Sequence, residues 1–293
     1  MILVAGSTGA LGFEVCRRLR GRGQPVRALV RATSNAEKVS TLRALGCDPV
    51  VGDMRDRRSL DAVCRGADVV MSTVTAITSA QPGETFDTTD RDGTINLIDA
   101  AAESGVKQFI FVSFDCDALP DSPLVRAKQA AEQRLRQSGV AYTILHSSLF
   151  MESWLGPMLF ADTAAATAKV YGGRDGRFRY ITVGDVAEVT VQCVGHAAAH
   201  NAVISVAGPE SLTQREAVER FENAFGKPFA VMEVPEPALE EQWKSAADPF
   251  TRSFTGLMLG VARAWVGGNR PNAEQFSIRM TTVDEFATAL RNG

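Results

Sequence analysis

The chain has 293 residues, enough for one large domain or up to two ordinary ones. Its 45% hydrophobic and 22% charged content is that of a folded globular protein and excludes disordered, collagenous and repeat-array chains. Lys and Arg total 31 against 34 Asp and Glu, a net charge of -3, so no basic field exists to attract a phosphate backbone and nucleic acid is not expected as a partner.

Cys16, Cys47, Cys64, Cys116 and Cys193 are odd in number, widely spaced and without a CxxC pair, which argues for a reducing compartment and against structural zinc. Strand-like Ile2-Leu3-Val4-Ala5 runs straight into a glycine-rich turn, with no signal-peptide pattern, and no apolar stretch reaches the ~20 residues that span a bilayer. The expectation is a cytoplasmic protein without a membrane partner, its oligomeric state left open.

Up to about residue 148, short β-branched runs alternate with amphipathic helical stretches, the pattern of a parallel sheet wound with helices on both faces. The predicted strands are Ile2–Ala5, Val26–Val30, Pro49–Gly52, Asp68–Ser72, Gln108–Ser113 and Tyr142–His146. Leu11, Val15 and Leu19 recur at helical spacing, and Ser34 with Glu37 forms a capping box ahead of a segment that stops at Gly46. Phe86 to Ser104 reads as one long helix ending at Gly105, and Ser122-Pro123 opens another that ends at Ser138-Gly139. Beyond residue 149 the alternation fails. Lys169–Gly173 and Phe178–Val183 read as short strands, Asp185 as the cap of a helix through Val194, and Ala202–Ala207 as a strand returning to the sheet. Thr213-x-x-Glu216 and Thr282-x-x-Glu285 open two further helices, with a strand at Phe229–Val234 between them. The expected fold class is α/β, a doubly wound parallel sheet over residues 1–150 with a smaller, interleaved C-terminal subdomain over residues 151–293, parts of 178–207 returning to the sheet.

Gly6-Ser7-Thr8-Gly9-Ala10-Leu11-Gly12 follows the first strand and opens the first helix, spaced GxxGxxG. In that context Gly6 permits a tight turn, Gly9 lets backbone approach a pyrophosphate, and Gly12 lets the helix pack closely on the sheet, with the helix N-terminus facing the anion. This is the phosphate loop of a Rossmann dinucleotide fold. The residue closing the second strand selects the cofactor, because a carboxylate there accepts from a ribose 2′-OH and repels a 2′-phosphate. That residue is Arg31, whose guanidinium suits a phosphate, so NADP(H) is preferred over NAD(H). Asp53 and Met54 after the third strand are candidates for the adenine amino group and ring, and Thr73, just past the fourth strand, completes the cofactor set.

AGSTGALG at the start, VRALVR across Arg31, GDM at Gly52 to Met54 and GTINLIDAAAESGVKQFIFVS from Gly93 to Ser113 resemble the NmrA-like branch of the atypical short-chain dehydrogenase/reductases. So do KQAAEQRLRQSGVAYTIL from Lys128 to Leu145, FMESW from Phe150 to Trp154 and ITVGDVAEV from Ile181 to Val189. The resemblance spans about the first two thirds of the chain. It implies an NADP-binding domain with a variable C-terminal subdomain covering a cleft at the strand ends. In the wider family a Tyr four residues before a Lys donates the proton and a Ser steadies the substrate oxygen. Lys128 and Ser113 match the Lys and the Ser, but the Tyr position holds Leu124.

Lys128 is thus a candidate both for binding nicotinamide ribose and for stabilising a developing oxyanion. His146, at the C-terminal end of the sixth strand where the family usually has Arg-Pro, is the alternative donor, or a packing change. Asp115, in the loop after the fifth strand, and Phe150, Met151 and Trp154, on one side of a short helix, are candidates to line an aromatic substrate site together with His146, although core packing accounts equally for each aromatic or Met alone. No metal site is expected. The leading expectation is an NADPH-dependent oxidoreductase lacking the usual Tyr, acting on a quinone-like or polycyclic aromatic small molecule. The alternatives are a polyketide-type tailoring enzyme such as a monooxygenase, and an NADP(H)-sensing regulator that transfers no hydride.

Overall fold

The computed structural model describes residues 1–77, 83–117, 119–173, 176–265 and 272–292. Strand β1 (Ile2–Ala5) is buried throughout, and α1 (Ala10–Gly21) turns Gly12, Val15, Cys16 and Leu19 inward, the three-and-four spacing of a single helix face. After β2 (Val26–Val30), helix α2 (Ala36–Ala44) does not begin with the expected box from Ser34. Asn35 is its cap, accepting from Lys38 N at 3.1 Å, while Ser34 Oγ accepts from Arg31 N at 2.9 Å. Asn and Ser cap about equally well, so the turn that closes β2 decides which of them is left to the helix.

The edge strand β3 (Asp48–Val51), helix α3 (Arg57–Cys64) and strand β4 (Val69–Ser72) follow. The long helix expected from Phe86 is two pieces: a π-helical turn over Phe86–Arg91, capped reciprocally by Thr85 and Thr88, and α4 (Asp92–Glu103), after which Gly105 takes φ 71°. Strand β5 (Gln108–Ser113) is buried at every position. Helix α5 (Pro123–Gln137) starts with Ser122 Oγ accepting from Val125 N at 3.3 Å, and β6 (Ala141–Ser147) closes the regular part.

Next come α6 (Met151–Trp154), β7 (Ala161–Asp162), β8 (Thr167–Tyr171) and β9 (Arg177–Phe178). The strand expected over Phe178–Val183 is confined to β9. Ile181 makes one isolated parallel bridge to Phe150, and Thr182 Oγ1 accepts from Asp185 N at 3.1 Å, so Thr182 rather than Asp185 caps α7 (Val183–Gln192). The Asp185 carboxylate instead accepts from Thr281 N at 3.0 Å. Strands β10 (Ala202–Val206) and β11 (Leu212–Thr213) lead into α8 (Gln214–Phe225), which has the expected box from Thr213 and Glu216 and ends at Gly226, φ 66°. The chain finishes with β12 (Ala230–Val234), α9 (Glu236–Ser245), α10 (Pro249–Ala262) and α11 (Val283–Asn292), the last opened by Thr282 and Glu285 bonding each other's backbone N–H.

The main sheet has 7 strands in the order β10-β6-β5-β4-β1-β2-β3, and neighbours from β3 through β6 pair parallel. This is the doubly wound α/β fold, with β10 returning to its edge beside β6 as expected. By compactness the chain forms two interleaved units. The first comprises Met1–Ser113, Arg126–His146 and Val186–Ile204, and its core gathers Leu3, Val70, Leu97, Phe109, Phe111 and Ile144. The second comprises Phe114–Val125, Ser147–Asp185 and Ser205–Gly293, with Phe160, Tyr171, Phe178, Tyr180 and Phe221 in its core. No helix among the described residues is long and apolar enough to cross a membrane.

Candidate functional site

From β1 the chain winds outward to β2 and β3, then returns to place β4 on the other side of β1. The carboxyl ends of β1 and β4 therefore flank the point at which an open parallel sheet binds its ligand. The glycine loop starts there. Gly6 adopts φ 83°, and a Cβ on it would lie 2.5 Å from Thr73 Oγ1; a Cβ on Gly12 would lie 2.2 Å from Gly6 O. Thr73 fastens the loop, its N and Oγ1 donating to Ala5 O at 3.1 and 3.2 Å.

Gly9 serves a different purpose. Its N donates to Gly6 O at 2.9 Å, and a Cβ there would meet only that same oxygen, at 3.3 Å. Gly9, Ala10 and Leu11 begin α1, whose N-terminus has no side-chain cap. An uncapped, positive helix end opened by a glycine is the kind of cradle a pyrophosphate fits and a Cβ at Gly9 would encroach upon. Ser7 is buried, with Oγ donating to Leu29 O at 2.7 Å, so its hydroxyl ties the loop to β2. Thr8 O accepts from Lys38 Nζ at 3.1 Å, which brings a cation from α2 to the loop.

At the end of β2, Arg31 Nη1 donates to Glu84 Oε1, an ion pair spanning 53 residues of chain. Asp53 is held by Arg55 through Nε at 3.0 Å and Nη2 at 2.8 Å. Those bonds, opposed by burial and helped by the field of Arg31, keep the Asp53 carboxyl below the usual Asp range. Met54 is buried in the first unit's core beside Gly93.

The second cluster of this unit surrounds Lys128 on α5. Its ammonium is 4% exposed, donates to Val74 O at 3.1 Å, pairs with Asp90 Oδ1 at 3.1 Å and lies 5.1 Å from the centre of the Phe111 ring. Asp90, on the π-helical turn, is fully buried, and its other oxygen accepts from Ala76 N at 2.9 Å. One turn along α5, Glu132 Oε1 accepts from His146 Nε2 at 2.9 Å and Oε2 from Arg136 at 3.0 Å. Ser113, the last residue of β5, and His146, the last but one of β6, are direct register partners. Burial opposes charge on Glu132, yet His146, Ser113 and Arg136 outweigh it and hold the carboxyl below its ordinary value.

The structure thus brings Ser113, Lys128 and His146 into one unit and supplies carboxylates, Asp90 and Glu132, that the sequence reading missed, as it missed Lys38 and Glu84. Glu132 had a legible signal, since it lies four residues after Lys128 on one helix face. Asp90 and Glu84 had none, because their partners are distant in sequence.

The remaining candidates belong to the second unit. Asp115 accepts from Asp117 N at 3.0 Å, a local turn contact. Phe150 is the N-terminal cap residue of α6, Met151 is fully buried in the core and Trp154 packs partly against it. Tyr171 Oη donates to Leu159 O at 2.6 Å, and burial pushes its pKa up to about 12; burial likewise raises that of Tyr180. Leu124, where the family Tyr would stand, is buried.

Residues 1–256 match the NmrA-like family. An NAD(P)H azoreductase of Xenophilus azovorans is 32% identical over 231 residues, 78% of this chain and 75% of that protein. A photosystem II assembly factor of Synechocystis sp. is 29% identical over 259 residues, 87% of this chain and 74% of that one. Among solved structures, an NADPH-dependent quinone oxidoreductase of Escherichia coli complexed with NADPH superposes with a TM-score of 0.78 at 24% identity, covering 100% of both chains.

Proposed function

The chain belongs to the NmrA-like family, and from that premise we propose that it is an NADP(H)-dependent oxidoreductase that reduces a quinone-like or polycyclic aromatic compound. The observation that carries the reading is the glycine cradle at the switch point of the sheet, with Arg31 and Lys38 beside it. The azoreductase and the quinone oxidoreductase among its relatives support the choice of chemistry.

In this reading the loop from Gly6 to Gly12 and the start of α1 hold the pyrophosphate, Arg31 and Lys38 hold the 2′-phosphate, and Lys128 holds the nicotinamide ribose. When bound, the reduced nicotinamide supplies a hydride. Asp90, Val74 and Phe111 fix Lys128 in place, and of the three donors of an ammonium group two are used by Asp90 and Val74 O, so a third can serve a cofactor or substrate oxygen without reorganisation. Glu132 accepts the Nε2–H of His146 and sets the ring's orientation, leaving Nδ1 as the nitrogen that exchanges a proton with substrate. A quinone needs little of that help, because a reduced quinone oxygen is a stabilised phenolate that water protonates. Such chemistry suits a site with Leu124 in place of the family Tyr.

The test is nicotinamide absorbance of stoichiometric protein and NADPH, followed anaerobically as quinones and polycyclic phenols are added. Protein-dependent oxidation is the expected result. A second reading, an NADP(H)-binding regulator without turnover, is favoured by the engagement of Lys128 with both Asp90 and Val74 O and by an assembly factor among the relatives. Tight NADPH binding without oxidation across the panel, in air as well as under nitrogen, would select it. Oxidation in air alone would point to an oxygenating enzyme.

A further inference from the structure

Arg31 is placed by the end of β2 and by a two-way backbone link with Ser34: Arg31 N donates to Ser34 Oγ at 2.9 Å, and Ser34 N to Arg31 O at 3.0 Å. Its backbone is pinned there, and its guanidinium is held separately, by Glu84. Glu84, whose carboxylate meets that guanidinium, is only 6% exposed against 28% for Arg31. A carboxylate so sheltered is stabilised by its cation and is costly to strand. The other two charges nearby are already matched, because Arg55 clasps Asp53 with two of its nitrogens. Arg31, Arg55, Asp53 and Glu84 together are electrically neutral, so within this group neither arginine carries surplus charge for an incoming dianion.

A carboxylate on an arginine is the geometry a 2′-phosphate would itself adopt there. We propose that Glu84 is a built-in rival of the cofactor's 2′-phosphate, and that its ion pair with Arg31 sets the ratio of NADPH to NADH binding. The inference rests on the dinucleotide reading of the glycine loop. For NADPH the pair opens and Arg31 exchanges one anion for another, with Glu84 displaced toward water. For NADH the pair stays closed, and Glu84 accepts from the ribose 2′-OH, the role a carboxylate at the end of β2 plays in NAD-selective folds. A chain that reads as NADP-selective from Arg31 alone therefore has its selectivity restrained by a residue from the other side of the sheet's switch point.

The test measures binding, without turnover. Nicotinamide fluorescence titrations give Kd for NADPH and NADH, and 2′,5′-ADP against 5′-ADP isolates the phosphate. Glu84→Gln removes the competing charge and is expected to tighten NADPH and 2′,5′-ADP about tenfold while NADH holds or weakens. Glu84→Asp, which keeps the charge but withdraws it by one methylene, is expected to shift the ratio in the same direction by less, and serves if the first variant folds poorly by circular dichroism. An unchanged NADPH/NADH ratio in folded Glu84 variants, with a ratio that does fall in Arg31→Ala, overturns the role of Glu84 and leaves the dinucleotide reading intact. Failure of the parent protein to bind either nucleotide overturns both.

Discussion

Lys128 and Asp90 form an ion pair at 3.1 Å in which the ammonium is 4% exposed and the carboxylate not at all. The same two groups hold the segment after β4, through Val74 O on one side and Ala76 N on the other. Removing one partner strands the other away from water, which costs about 3–5 kcal/mol, whereas removing both is far milder. Asp90→Asn is expected to lower stability in urea denaturation by that order, and Asp90→Asn with Lys128→Met to recover much of it. Additive losses would mean that the two do not act as a pair.

The glycines of the loop separate into two kinds. Gly12→Ala would drive a Cβ to 2.2 Å from Gly6 O, a backbone atom rather than the end of a flexible side chain, and is expected to destabilise the fold by about 1–3 kcal/mol. At Gly9 an added Cβ meets only one oxygen, at 3.3 Å, and Gly9→Val should give a folded protein whose NADPH binding is lost. Thermal melts with and without NADPH distinguish the two, and unchanged NADPH affinity in Gly9→Val would place the cofactor elsewhere.

Arg31→Ala should weaken NADPH by ~1.5–3 kcal/mol while barely touching NADH. The loss has two sources, since the variant removes a phosphate ligand and leaves the sheltered Glu84 carboxylate facing the phosphate. Equal losses for both nucleotides would remove Arg31 from the recognition of the 2′-phosphate.

Glu132 predicts an acid-limb signature. Despite burial, its partners hold its pKa below the ordinary 4.5, so the folded protein binds the proton less readily than the unfolded chain. Its stabilisation is therefore complete above about pH 4.5 and is lost as pH falls through the lower folded value. Glu132→Gln should cost about 1–3 kcal/mol at neutral pH and flatten the decline of stability below about pH 4.5. Denaturation curves with parallel pH dependence in parent and variant would show that folding does not lower the pKa of this carboxyl.

Where the sequence reading succeeded, the physics was local. β1, β2 and β5 are runs whose β-branched and aromatic residues have no amphipathic helical alternative, and the boxes at Thr213 and Thr282 close within one helical turn. It missed where two local options were nearly equal. Ser34 and Asn35 compete to cap α2, and the turn at Arg31 claims the serine. Phe178 to Val183 has strand composition, but Thr182 supplies a helix start within it.

By itself the sequence determined the winding of the sheet and the place of the glycine loop, because glycine sterics and a strand-to-helix turn are decided by residues adjacent in the chain. It also exposed Lys128 and Ser113 through family resemblance, and His146 through its place at the end of a strand. Which charges meet was left to the tertiary structure. Arg31 finds Glu84 across 53 residues, and Lys128 finds Asp90 on a π-helical turn that no periodicity announces. Electrostatic partnership depends on distance and burial, and both are set only when parallel strands fix which loop ends lie side by side.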